Sequence, residues 1–215
     1  MSYLVAVNVV HELIPGPKDS DRTAIDKRPR TGRVAVGELG LAGDAVCDTK
    51  HHGGPDQALY VYAREDAEFW AAELGREIPP GQFGENLDTT GVDVTGALIG
   101  ERWRIGDGAD AVEVEVRSPR FPCVTFQHRM AVPHWVKRFT EGGRPGAYLK
   151  VLRTGTVAAG DPVAVLRRPD HDVTIGHLFA GLDPALAGRM LASSIDLDGH
   201  VRASAERAVS RARAR

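Results

Sequence analysis

The stretch AVEVEVR at residues 111–117 decides the fold class. Val112, Val114 and Val116 alternate with Glu113, Glu115 and Arg117. Apolar side chains therefore point one way and charged ones the other, the period of two that marks a half-buried strand. Working outward, Tyr3–Val10 is apolar enough for a buried strand, and 33–39, 58–62, Ala147–Arg153 and 162–167 complete a set of short strands. Turn signals separate them: Pro15-Gly16-Pro17, Thr31-Gly32, Gly53-Gly54-Pro55, Asp107-Gly108, Gly142-Gly143 and Gly160-Asp161-Pro162. With Gly 24 and Pro 13, this spacing predicts a mainly β fold, closed as a barrel or sandwich.

Short helices interrupt the pattern. Asp66 is expected to cap a helix that reaches Leu74 and stops at Gly75, with Phe69, Trp70 and Leu74 on one face. Pro133 is expected to open a second, with Trp135, Val136 and Phe139 inward and Gly142 at its end. After Pro169 the chain turns helical. Thr174 caps a short helix, Asp183-Pro184 starts another, and 201–215 forms a third. That last helix carries arginines 202, 207, 211, 213 and 215 against Glu206. It reads as a solvated face, with a partner- or phosphate-binding surface as the alternative. The predicted organisation is a β-barrel domain over 1–169 and a small helical extension over 170–215.

Composition excludes several classes. A chain of 215 residues suits one large domain, or a domain with an appendage, and buries roughly 70% of its unfolded surface without staples. A net charge of −2 and a pI near 6.4 argue against binding nucleic acid through overall positive charge. No apolar run approaches the roughly 20 residues of a membrane helix. LVAVNVV at 4–10 is short, contains Asn8 and lacks a basic leader, so it reads as a strand and not a signal peptide. Cys47 and Cys123 form no disulfide framework, and a cytoplasmic location is the expectation.

Three loops are dense in chemistry. In RSPRFPC (117–123), two prolines stiffen the path that leaves the 111–117 strand, and Arg117 and Arg120 favour a thiolate on Cys123. A small buried hydrophobe is the equally weighted alternative for Cys123. In His51-His52-Gly53-Gly54-Pro55-Asp56-Gln57, adjacent histidines point to opposite sides. One is expected to line a pocket and the other to pack on backbone. Cys47 and His51, with Asp44 or His52, make the only arguable zinc set; without a second cysteine pair it is not expected, and Cys47 reads as core. In PGQFGENL (80–87), Asn86 offers an amide to a ligand or to its own turn. Thr23, Lys27, Arg28 and Arg30 form a basic stretch whose simplest reading is solvated charge.

Taken together, TAIDKRPRTGRVAV, the HHGGPDQA block, FGENL, PRFPC and GRPGAYLKVLRTGTVAAGD, in that order between Thr23 and Leu166, resemble the MOSC domain family, the β-barrel domain related to the C-terminal part of molybdenum cofactor sulfurases. The length and helical tail look like its YiiM branch, stand-alone proteins with a helical extension, although no tryptophan stands near the end of this tail. The resemblance implies a MOSC-type β-barrel that binds the molybdenum cofactor (Mo-molybdopterin), with Cys123 as the protein ligand to molybdenum. Lys27, Asn86 and Arg120 fall where pterin and phosphate are held. His51, His52 and Asp56 match the family's dense loop, with His52 as the proton donor. The implied activity is reduction of N-hydroxylated compounds, such as N-hydroxylated nucleobases or amidoximes, by oxygen transfer to molybdenum. The small-molecule substrate would draw electrons from a separate flavin-type reductase, since two cysteines cannot hold an iron–sulfur cluster. A non-catalytic carrier of the cofactor, or of sulfur on Cys123, is the alternative, and a cofactor-free interaction domain the third reading.

Overall fold

The computed structural model describes residues 1–17, 22–49 and 52–213. Its strands are β1 (Tyr3–Val10), β2 (Ile14–Pro15), β3 (Arg22–Thr23), β4 (Lys27–Pro29), β5 (Val34–Gly37), β6 (Gly40–Leu41), β7 (Leu59–Ala63), β8 (Leu87–Thr90), β9 (Arg102–Ile105), β10 (Val112–Pro119), β11 (Ala147–Arg153), β12 (Gly155–Val157) and β13 (Val163–Arg167). The helices are α1 (Arg64–Leu74), α2 (Val124–Met130), α3 (Trp135–Gly142), α4 (Ile175–Ala180), α5 (Pro184–Ala192) and α6 (Gly199–Arg213). Eight strands form one sheet in the order β13-β9-β10-β11-β7-β8-β1-β4. Its pairings are antiparallel except for β7 with β8, which run parallel.

Among the described residues the expected closed barrel is not detected, and helix and strand fractions are about equal, so the fold is mixed and dominated by its sheet, not mainly β. The sheet curls far enough for the start of β1 to meet the chain before β13. There Tyr3 bridges Pro162, and the Leu4 N–H donates to the Asp161 carbonyl at 2.9 Å. The Val163 N–H also donates to the Ser2 carbonyl at 2.9 Å, and the second half of β1 pairs with β4 instead.

The valines of β10 behave as their alternation predicts. Val112, Val114 and Val116 are fully buried in the main core with Leu4, Leu59, Leu87, Trp103 and Leu149. A second cluster is aromatic and joins Tyr62, Trp70, Phe83, Phe126, Trp135 and Phe139. Trp70 and Trp135 meet edge to face, with centroids 4.8 Å apart. Side chains of the last three helices, among them Ile175, Ala187, Met190, Val201 and Ala205, belong to the same core as the sheet.

Three local expectations are corrected. The cap of α1 is Ala63, not Asp66; Asp66 stands a turn in, buried, with its carboxylate on Arg144. Cys47 is exposed and not core. Arg117 does not face Cys123, because the alternation of β10 turns it into a buried ion-pair cluster. Thr174 and Asp183 do cap α4 and α5, Thr174 within a reciprocal capping box with His177.

Candidate functional site

A cavity of about 880 Å³ opens where the β10–α2 turn, the loop after β6 and the 80–86 turn converge. Lys27, His52, Asn86, Arg120 and Cys123 all line it. The structure thus brings together five of the seven residues singled out in the sequence. Asp56 does not join them: it faces the other way, 2.7 Å from Arg117 Nε. His51 lies outside the described residues.

Cys123 is the N-cap of α2, in extended conformation, with its side chain half-buried at the cavity wall. Burial pushes its thiol up, but a hydrogen bond from His52, the Phe126 and Thr125 N–H groups and the nearby Arg120 charge outweigh it, bringing the thiol down to about 7. Near neutrality, a large fraction is thiolate.

Arg120 is buried and wrapped by neutral partners. Its Nη1 donates to the Phe83 carbonyl at 2.8 Å, and its guanidinium lies 3.8 Å over the Phe126 ring and 5.2 Å from the Tyr60 ring centroid. These contacts fix the fork while its charge stays on the cavity wall.

Lys27 is not the solvated charge the basic stretch suggested; Arg28 and Arg30 are exposed, but Lys27 is buried and paired with Asp44. Burial lowers its pKa, against the opposing pull of Asp44. Asp44 also accepts from Asn86 Nδ2 at 2.7 Å and from the Val10 N–H at 2.9 Å. The Asn86 side-chain oxygen takes the Tyr60 N–H at 3.1 Å, and its amide nitrogen also reaches the Asn8 carbonyl. Its amide is therefore engaged with protein on both sides, holding the β7–β8 junction in register while forming part of the wall.

Sequence reasoning weighed Asp44 only as a zinc ligand and passed over Tyr60, Tyr148 and Glu85. Asp44 follows Gly43, whose φ of +82° turns the chain at the cavity edge. Tyr60 and Tyr148 are brought together by the β7–β11 register, which no local pattern reveals. Glu85 is buried and accepts from the Gly81 and Phe83 N–H groups. Burial, and then the Asp88 charge, push its carboxyl up to about 7. Around the mouth stand four exposed apolar side chains, Leu39, Val46, Phe121 and Val124.

A family model described as the MOSC domain matches residues 48–164, more than half of the chain. The chain belongs to the MOSC domain family. That span takes in His52, Asn86, Arg120 and Cys123 and leaves Lys27 outside. Protein YiiM of Escherichia coli (strain K12) is 32% identical over 71% of this chain and 67% of that protein. A protein named "Reductase" from Gibberella moniliformis is 34% identical over 68% of this chain, but the match spans only 26% of that longer protein. The crystal structure of YiiM from Geobacillus stearothermophilus superposes with a TM-score of 0.76 over 97% of this chain and 99% of that one, at 24% identity. The MOSC fold, helical extension included, is thereby shared.

The cavity can be tested against the cofactor that the family implies. It offers two free thiols, Cys47 and Cys123, the latter brought down to about 7, two buried cationic side chains and space for a ligand of several rings. Molybdenum held by a dithiolene favours a thiolate as protein ligand, and arginine and lysine suit a phosphate. The residues present fit. Among the described residues, no group of three or more His, Cys, Asp or Glu side chains converges as a metal site. No helix among them is long and apolar enough to cross a membrane.

Proposed function

We propose that this MOSC protein holds the molybdenum cofactor through Cys123 and reduces N-hydroxylated compounds. The observation that carries this reading is the placement of Cys123 on the cavity wall together with His52, Arg120 and Lys27. The relative named a reductase supports the reaction class. The overall conversion consumes two electrons and two protons: R–NHOH becomes R–NH2 and water. Bound cofactor would supply the two-electron redox chemistry, recharged by a separate flavin-type reductase.

The chain's own groups divide the remaining work. Cys123 offers the thiolate. Arg120, rigidly seated, and Lys27 set a positive wall suited to the phosphate of the pterin. Asn86 and Asp44 keep Lys27 and the loop after β6 in place. His52, beside the sulfur, can hold a proton at the reacting end of the cavity.

The test begins in a cofactor-producing host, with molybdenum measured by mass spectrometry on wild type and Cys123→Ala. Near-stoichiometric metal in wild type and its loss in Cys123→Ala is expected; equal metal in both would overturn the reading. Loaded protein mixed with a chemical reductant and N-hydroxyadenine should then release adenine. Retained metal with no turnover under any donor would instead mark a carrier.

A further inference from the structure

Past the end of β10, two neighbouring side chains part company. Arg120 is turned into the wall and buried, whereas Phe121 is 57% exposed and lines the mouth of the cavity. Neighbours on an extended path point to opposite sides, and Pro122 biases Phe121 toward such a path. The exposed ring is nevertheless seated. It packs on Phe179 of α4, with centroids 5.4 Å apart and planes 31° from parallel. Phe179 is itself buried and meets Phe139 of the aromatic cluster edge to face, with centroids 6.4 Å apart. Its helix is tied to the main core through Ile175 and Leu178. The helical extension thereby props an aromatic ring at the mouth of a cavity built by the sheet and its loops. Such a ring forgoes burial energy until something covers it. Leu39, Val46 and Val124 continue the apolar rim. Cys123 follows two residues on, so its Cα stands within roughly 7 Å of that of Phe121.

We propose that Phe121, backed by Phe179, is a specificity-determining residue: its open face stacks on a planar heteroaromatic substrate, so that the site prefers N-hydroxylated bases to aliphatic amidoximes. This rests on the reading that N-hydroxylated compounds are reduced here. Aromatic rings pair with flat π systems in offset stacks. Every base presents such a face, and an aliphatic amidoxime presents none. A ring already seated on a second ring loses little freedom when the base arrives. Stacking of this kind holds substrate alike before and during the reaction, so it acts on KM and not on kcat.

The test uses the full chain purified from the cofactor-producing host. N-hydroxyadenine is titrated without reductant, so that binding is read at equilibrium. Phe121→Ala should raise its Kd roughly ten-fold, within the range that base stacking supplies. Phe121→Trp should keep wild-type binding. Phe121→Leu, apolar but without a π face, should behave as Phe121→Ala. Under turnover, Phe121→Ala should raise KM for N-hydroxyadenine with kcat held, and the preference for N-hydroxyadenine over acetamidoxime in kcat/KM should fall by the same factor. No saturable binding by wild type, unchanged binding in Phe121→Ala, wild-type binding in Phe121→Leu, or equal losses on both substrates would overturn the proposal. Binding that depends on Phe121 in a protein that never turns over would refute the reaction and leave the platform standing. Turnover with an unchanged KM in Phe121→Ala would refute the platform alone.

Discussion

The half-buried Cys123 and the buried Glu85 are both acids near neutrality, for opposite reasons. The thiol is drawn down by His52, N–H groups and Arg120 against its burial; the carboxyl is driven up by burial and Asp88. In a Cys47→Ser background, the alkylation rate of Cys123 should therefore rise with a midpoint near pH 7, about 1.5 units below an ordinary thiol. A midpoint above 8 would contradict the site as described. For Glu85 the sign runs the other way. Its folded pKa of about 7 exceeds the ordinary 4.5, so its contribution is present below about pH 4.5 and is lost as pH rises through 7. The stability gap between wild type and Glu85→Gln should shrink by about 3 kcal/mol from pH 4.5 to 8, measured by urea titration; a constant gap would show the carboxyl is not buried protonated. Residues of this kind were half legible. PRFPC marked Cys123 by its prolines, and the alternation of β10 already set Arg117 on the face of Glu113 and Glu115; what the sequence did not show is that this face is buried there, with Arg117 paired to Glu115 and Asp56.

Turns and caps make the elements. Gly81 has φ +84°, and a Cβ there would stand 2.3 Å from the Lys27 carbonyl. Gly81→Ala thus meets backbone as well as the left-handed penalty of about 1–2 kcal/mol, and should cost more than that penalty alone while displacing Lys27. A substitution that costs under 1 kcal/mol in urea unfolding would refute the close approach. At the other end of the chain, Thr174→Ala removes the oxygen that accepts the His177 N–H at 3.1 Å and should cost about 1 kcal/mol. The caps at Thr174 and Asp183 were readable because a cap is a local event. The β-strands of alternating sequence were readable for the same reason. β8 was not: LDTT mixes buried apolar and buried polar residues, and Asp88 lies inside with Arg64 3.3 Å away. The short α2 was also missed, since its start is a proline-rich loop and its seven residues show barely two turns. Closure of the sheet was overestimated because strand spacing reports the number of strands, not whether the last one finds the first.

On the scale of the whole molecule, sheet and terminal helices share a core, and Asp196 reaches from between the last two helices to Arg117. The chain should accordingly unfold in one step, with calorimetric and van't Hoff enthalpies equal; two resolved heat-absorption peaks would show the extension to be independent. The same continuity has an optical consequence. All three tryptophans, at 70, 103 and 135, are buried, so their emission is that of dry indole. Trp135 is separated from the cavity by a single ring: Phe126 packs on it with centroids 5.6 Å apart and carries the Arg120 guanidinium on its other contact. Whatever settles against Arg120 alters the field at that indole, and the protein carries its own fluorescent gauge of occupancy.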